Sequence, residues 1–378
     1  MQRHLLRLIV LAATLLFAAA AHAQPNTLSD PEKADGWALL FDGKTLDGWT
    51  TIGDLAAWTV AQDKDGPVIT MANPGHGEWL RTKKMYRDFE LLVDFDVEKG
   101  KNSGVGLRGS SVGDPAFTGM EIQVFGNQGE KPTITCCGAV YDACTPDCSD
   151  APGGILPLKD GGQWNTYHIK LVGDTINIWL NGVHIQKDQK LDGRGYTHRP
   201  EAKNPLNSRC KTGFIALQDH GDKVRFRNLK IKDLSVDKDP VGFEPIFDGK
   251  STNGWTTKGT EGNGKWRIED GVLIGNDVGL QSEQEFKAVE IRTFMRCTPG
   301  TDATFGFSNG HQIHWKAGDG NWNDFRLRLA DGKCDMWVNG QHSGMSTSAA
   351  EGAAHVLLAA KGGDVMFKDV QVREVGKE

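Results

Sequence analysis

The sequence has no basic block, no long apolar run after its first two dozen residues and no stretch of sustained helical period. A formal net charge of -6 without a Lys/Arg cluster leaves no electrostatic footprint for a phosphate backbone, which argues against a nucleic-acid partner. Beyond Ala23 nothing approaches the roughly 20 apolar residues of a membrane helix, so the mature chain is expected to carry no integral membrane segment. A tight metal motif such as HExxH is missing, and no cysteine stands directly after Ala23 to take a lipid anchor. What is plentiful is glycine, 47 residues, and tryptophan, eleven, which with so little helical pattern suggests an all-β protein rich in turns.

The first 23 residues read as a secretory signal. Arg3, His4 and Arg7 make a positive start, Leu8 to Ala21 are almost wholly apolar, and Ala21-His22-Ala23 is an A-x-A site before Gln24. The expectation is a periplasmic or secreted protein cleaved after Ala23. In such an oxidising compartment the run TCCGAVYDACTPDC, with Cys136, Cys137, Cys144 and Cys148, reads as a disulfide-stapled loop, and Cys297 with Cys334 as a second bridge. With Cys210 the cysteines number seven, so at least one is left over.

An internal repeat organises the rest. GWALLFDGKTLDGWT at 36–50 returns as GFEPIFDGKSTNGWT at 242–256, and WTVAQDKDGPVI from Trp58 returns as WRIEDGVLI from Trp266. INIWLNG ending at Gly182 returns as CDMWVNG ending at Gly340, and VRFRNLKIKDL at 224–234 as VMFKDVQVREV at 365–375. The offset is 206 residues from Phe41 to Phe247 but 158 from Asn181 to Asn339, so the second copy is 48 residues shorter between those landmarks. The missing piece falls mainly at 108–162. Two domains are expected, 24–236 and a trimmed copy at 237–378.

Both copies follow the two-residue period of half-buried strands. DFELLVDFDVEKG, GMEIQVFG, NTYHIKLVG, TINIWLNG, TGFIALQDHG and VRFRNLKIKDL each end in Gly, Asn or Asp turns, and Asn181-Gly182 supplies the positive φ of a hairpin. Many short antiparallel strands imply a sandwich or jelly roll. In GMEIQVF, Glu121 and Gln123 share a polar face opposite Met120, Ile122 and Val124. In FIALQDH, Gln218 and His220 share one face, and His168 alternates with Ile169 in the same way. These side chains are candidates to line one groove, with the ring of Trp179 as a stacking surface for sugar. An exposed polar sheet face would give the same alternation.

FDGKTLDGW, KNSGVGLRG, GMEIQVF, GAVYD, WNTYHIKLVGDTINIWLNG and GFIALQDHGDKVRFRNLKI occur in that order over 36–235, and together they resemble the 3-keto-disaccharide hydrolase family. The resemblance implies a concanavalin A-like jelly roll and a carbohydrate substrate already oxidised at C3. Jelly-roll glucanases often carry E-x-D-x-x-E on one strand, where this chain reads Glu121-Ile122-Gln123-Val124-Phe125-Gly126, so the paired carboxylates of an ordinary glycosidase are missing. A 3-keto sugar does not need them, because its carbonyl acidifies the C2 proton. One base, Glu121 or His220, then suffices, with Arg108 at the developing enolate and Tyr141 as proton donor to the leaving oxygen. Asn102, Gln123 and Gln218 would orient hydroxyls. A divalent ion held by Glu121 and His220 is a candidate cofactor. In the second copy ATFGFSNG stands for NSGVGLRG, HVLLAAKG stands for FIALQDHG, and nothing in the sequence replaces EIQVF directly. HQIHW, with His311 and His314, reads there as a separate edge strand, so catalysis is expected in the first copy alone. The competing reading is a noncatalytic, lectin-like glycan binder.

Overall fold

The computed structural model describes residues 24–110, 113–196, 205–235, 243–258, 264–316, 320–347 and 352–375. The signal-like segment 1–23 and most of the charged stretch between the copies, 236–242, lie outside the described residues. Among those described, the α-helices are single turns such as Asp30–Ala34 and Pro115–Thr118, and no helix is long and apolar enough to cross a membrane.

The chain is an all-β protein of antiparallel jelly-roll sandwiches. In the first half an eight-stranded sheet faces a five-stranded one. The smaller sheet is built from β1 (Trp49–Thr51), β2 (Trp79–Tyr86), β3 (Asn102–Gly109), β4 (Met120–Phe125) and β5 (Gly213–Gln218), in the spatial order β1-β2-β5-β3-β4. Alternation decides what lies between the sheets. Tyr167, Ile169 and Leu171 of the Asn165–Val172 strand point inward, as do Ile122 and Val124 of β4 and Val105 and Leu107 of β3. Asn181 (φ 51°) and Gly182 (φ 84°) make the turn after the Thr175–Leu180 strand, where left-handed backbone suits Asn-Gly.

The second half repeats this order strand for strand. β6 (Trp255–Lys258), β7 (Val272–Phe286), β8 (Asp302–Phe307), β9 (Gln312–Lys316) and β10 (Ala354–Glu374) give β6-β7-β10-β8-β9 in one layer. β7 and β10 are long because each fuses two strands of the first half across lost loops. β7 stands for the Gly66–Met71 strand plus β2, and β10 for β5 plus the Arg225–Asp233 strand. They run through both layers, so the second half is one continuous sheet around its own core. β9 takes the position of β4. Gln312–Lys316 is therefore the structural counterpart of Glu121–Phe125, a match the sequence carries only in Ile313 for Ile122 and in the polar alternation.

All seven cysteines are buried and unbridged, against the expected disulfide staples. Their thiols are directed to other partners. Cys136 donates to the Thr133 carbonyl, Cys137 pairs with the Tyr167 hydroxyl at 3.0 Å, and Cys210 donates to the Thr212 carbonyl. Burial pushes the Cys137 thiol up to about 12, so it sits in the core as a neutral group.

The two halves meet through buried polar groups. Ser110 Oγ donates to Asp324 Oδ2 at 2.8 Å, Arg326 donates to the Thr212 carbonyl, and Trp337 Nε1 donates to the Ser208 carbonyl at 3.1 Å. Gln341 donates to the carbonyl of Phe117, in the Pro115–Thr118 turn.

Candidate functional site

The site begins with the register of β4 on β3. Gly106 pairs with Glu121 and Gly104 with Gln123, while β5 sets Ala216 beside Gly106 and β2 sets Trp79 beside Gln218. Two rows therefore cross the sheet face turned away from the core, Arg81–Ala216–Gly106–Glu121 and Trp79–Gln218–Gly104–Gln123. Gly106, Gly104 and Ala216 carry little or no side chain, and the space over them is taken by Pro115, Trp79 and the Glu121 carboxyl. A Cβ on Gly104 would lie 1.9 Å from Glu121 Oε1, so the carboxyl leans out of its own row to lie over Gly104. Gly104→Ala must displace it. Any turnover that depends on this carboxyl is expected to fall about 100-fold, because a misplacement of about 1 Å costs that much, and a thermal melt to drop by the equivalent of about 1–3 kcal/mol of overpacking.

This face is polar and yet closed to water: Glu121 is 4% exposed and Gln123 5%. The roof is the Pro115–Thr118 turn, capped by Asp114, whose side chain accepts from the Ala116 amide. Ala116 packs on Trp79 and Ala216, and Gly106 lets Pro115 sit down on the sheet. Alternation gave the right face for Glu121 and Gln123 but no hint of this cover.

Glu121 Oε1, Gln123 Oε1, Gln218 Oε1 and Asn102 Oδ1 are all buried without a hydrogen-bond partner. A buried acceptor left unpaired costs about 1–3 kcal/mol. Four of them on one face make a site matched to a ligand rich in hydroxyl donors. Burial, with the charge of Asp114 adding to it, holds the Glu121 carboxyl well above the usual carboxylate range. The neutral acid is favoured.

Along the free edge of β4 the segment 138–141 runs beside it. The Tyr141 amide donates to the Glu121 carbonyl at 2.9 Å, and the Gly138 amide to the Gln123 carbonyl. The Tyr141 ring lies 6.4 Å from Tyr196, which packs edge-on against Phe117 of the roof and under the guanidinium of Arg209. Sequence reasoning missed Trp79, Asp114, Tyr196 and Arg209. The last two sit in the non-repeating stretch before β5, where no period marks them.

Other expected members do not join the site. Arg108 has φ 54°, which turns its side chain off the β3 alternation. Its guanidinium is 3% exposed and donates to the Arg87 carbonyl (2.7 Å), the Gly173 carbonyl (2.8 Å) and Asp88 Oδ1 (3.0 Å). It is a structural clamp with no spare donor aimed at an enolate. His168 and Trp179 lie on the outer face of the eight-stranded sheet, where His168 stacks on Trp179 at 4.8 Å and pairs with Glu90 at 2.9 Å. His220 falls past the end of β5 and is exposed at the rim. There Asp219 nests in the amides of Gly75, Gly77 and Gly221 and ends the strand.

Continuing the ladder sets His220 beside Asn102, four residues along β3 from the Glu121 row, or about 13 Å. Glu121 and His220 are thus too far apart to hold one ion. Among the described residues no group of three or more His, Cys, Asp or Glu side chains is placed to share a metal.

With this geometry in hand, comparison with known proteins is specific. The family described as 3-keto-alpha-glucoside-1,2-lyase-like domain matches residues 36–232 and again 242–317, which covers well over half the chain and parts of both copies. A 3-keto-disaccharide hydrolase of Bacteroides thetaiotaomicron is 28% identical over 248 residues, 56% of this chain and 83% of the relative. The crystal structure of a candidate glycosyl hydrolase from Parabacteroides distasonis is 26% identical and aligns with 56% of this chain and 100% of that one, at a TM-score of 0.45. A Bacillus licheniformis beta-glucanase aligns at 10% identity over 36% of this chain and 98% of its own, at a TM-score of 0.28.

Proposed function

The chain belongs to the 3-keto-alpha-glucoside-1,2-lyase-like family, and on that premise we propose that its first half cleaves 3-keto glycosides by eliminating the C1 substituent. One observation carries the reading. Glu121 is the one carboxyl on the covered face of the five strands among the described residues, and it is buried, shifted toward the neutral acid and set among unpaired amide oxygens. A two-carboxylate glycosidase needs a second free acid across the bond; the five strands supply none, and the nearby Asp114 carboxyl is engaged in capping the roof turn at the Ala116 amide.

Elimination needs one proton-transfer group. The substrate's C3 carbonyl acidifies C2–H, and ionised Glu121 takes that proton. The C2 electron pair becomes the C1=C2 bond as the C1–O bond breaks, and the protonated carboxyl returns its proton to the leaving oxygen. The products are an alcohol and a 1,2-unsaturated 3-ketone, and addition of water to the latter completes net hydrolysis. An elevated pKa suits both steps, since it makes the ionised form a stronger base and keeps the acid competent near neutral pH. Tyr141, fixed alongside Glu121, is the second candidate donor to the leaving oxygen. Asn102, Gln123 and Gln218 accept from sugar hydroxyls and set the ring beside the Glu121 carboxyl.

The test is aglycone release from a nitrophenyl 3-keto-glucoside and from the unoxidised glucoside. Cleavage of the ketone alone is expected. Equal rates on the two would remove the elimination, and binding of both without cleavage would favour a glycan-binding role. The same reading includes export, with a mature N-terminus at Gln24 that sequencing of the purified protein would reveal.

A further inference from the structure

The place that holds the site in the first half is rebuilt in the second with different chemistry. On β8 and β9, Gly306 pairs with Gln312, Thr304 with His314 and Asp302 with Lys316. On β10, Leu357 lies beside Gly306, Ala359 beside Thr304 and Lys361 beside Asp302. The registers superpose. Gln312 takes the position of Glu121, His314 that of Gln123, Thr304 that of Gly104, Asp302 that of Asn102, and Lys361 the end occupied by His220. The proton-transfer acid has become an amide, so this face cannot perform the reaction proposed for the other.

It keeps a cleft nonetheless. A cavity of about 360 Å³ is lined by Asp302, Thr304, His314, Trp315, Lys316 and Lys361, with alanines between them, a size that takes one or two sugar rings. Trp315 shares the row of Ala303 and Ala360 and turns its ring to the core, edge-on against Phe325 at 5.1 Å, so the side chains of the cleft come from the two outward rows Asp302–Lys316–Lys361 and Thr304–His314–Ala359. Thr304 Oγ1 lies 3.2 Å from His314 Nδ1. The charge is the distinguishing feature. Lys316 bridges Asp302 at 3.5 Å, while Lys361 has no carboxylate partner among the described residues. The cleft therefore carries net positive charge on a chain whose formal net charge is -6. Such local inversion of charge selects an anionic ligand.

We propose that this second cleft is a noncatalytic binding site for an acidic carbohydrate, one whose sugar carboxylate pairs with Lys361 while its ring lies over Ala359, beside Thr304 and His314. The inference rests on register, cavity and charge, and does not depend on the elimination reading of the first site.

The test is calorimetric titration of the full-length protein with oligogalacturonate and with a neutral glucan oligosaccharide of similar length. Oligogalacturonate is expected to bind, more weakly in about 0.3 M salt, and the neutral oligosaccharide not to. Lys361→Glu, an exposed change with no folding consequence, should weaken binding by about tenfold or more while aglycone release stays unchanged. Gln123→Ala should leave oligogalacturonate binding as it was. Failure of the acidic oligosaccharide to bind, equal binding of the neutral one, or an affinity untouched by Lys361→Glu overturns the proposal.

Discussion

Glu121→Gln is expected to reduce turnover by about 100- to 10,000-fold, the span attributed to a positioned proton-transfer group, while leaving the fold intact. Glutamine keeps the shape and fills the space over Gly104 but neither takes nor gives the proton. The stability effect has a definite sign. Burial raises the folded-state pKa of Glu121 above its unfolded value, so the neutral carboxyl contributes fully below the unfolded pKa. That contribution is lost as pH rises, and the loss levels off beyond the folded pKa. Glutamine does not titrate. Thermal melts should therefore show the variant gaining on the wild type as pH increases above about 4.3, with a constant difference between the two in acid. The wild-type rate should also rise with pH toward the elevated pKa, because the ionised form abstracts the proton. A variant that retained more than about a tenth of wild-type kcat would remove Glu121 from the chemistry.

The sequence made Glu121 and Gln123 legible because β4 is regular, and a period of two places alternate side chains on one face wherever the ladder is unbroken. It misled where the ladder breaks. Arg108 follows Gly104 and Gly106 at even spacing, but its positive φ sends the guanidinium to Asp88 and two carbonyls. His220 follows Gln218 at the same spacing, but the strand ends once Asp219 captures the glycine amides. His168 and Trp179 do share a polar face, as alternation implies. Alternation cannot say which sheet that face belongs to, and theirs is the outer one. The repeat exposed the two-copy organisation through turns and core residues, whereas the β4–β9 equivalence rests on one identity, Ile313 for Ile122, and on a polar alternation common to most strands, too little to mark it without the hydrogen-bond register. The cover over Glu121 comes from a four-residue turn and from the other half of the chain, neither of which leaves a periodic mark.

Asp324→Ala is expected to be the most destabilising single change at the junction of the two halves. The Asp324 side chain is fully buried in the Asn323–Ala330 strand. It faces Arg292 Nε at 3.3 Å and Arg326 Nη2 at 3.1 Å, and accepts from Ser110 Oγ of the first half. Burial opposes its charge, but Arg326 and Arg292 outweigh burial and hold the carboxyl well below the usual range. Alanine leaves two guanidinium groups buried without their counter-ion, a loss of about 3–5 kcal/mol. For domains of this size that lowers the melting temperature by roughly 10 °C. Ser110→Ala, which removes the hydroxyl that donates to Asp324, should cost about 1 kcal/mol. Since the folded pKa of Asp324 is depressed, its contribution is present above the unfolded aspartate value and is lost only as pH falls through the folded one. The gap between wild type and Asp324→Ala should therefore persist in mild acid and close only in strong acid. The loss should also reach the active face. Ser110 leads into the roof over Glu121, and Gln341 holds the Phe117 carbonyl of that roof from the second half. Below its melting point Asp324→Ala should therefore show a lower kcat than Ser110→Ala. If the two variants turn over equally while differing in stability, the second half supports the fold without shaping the site.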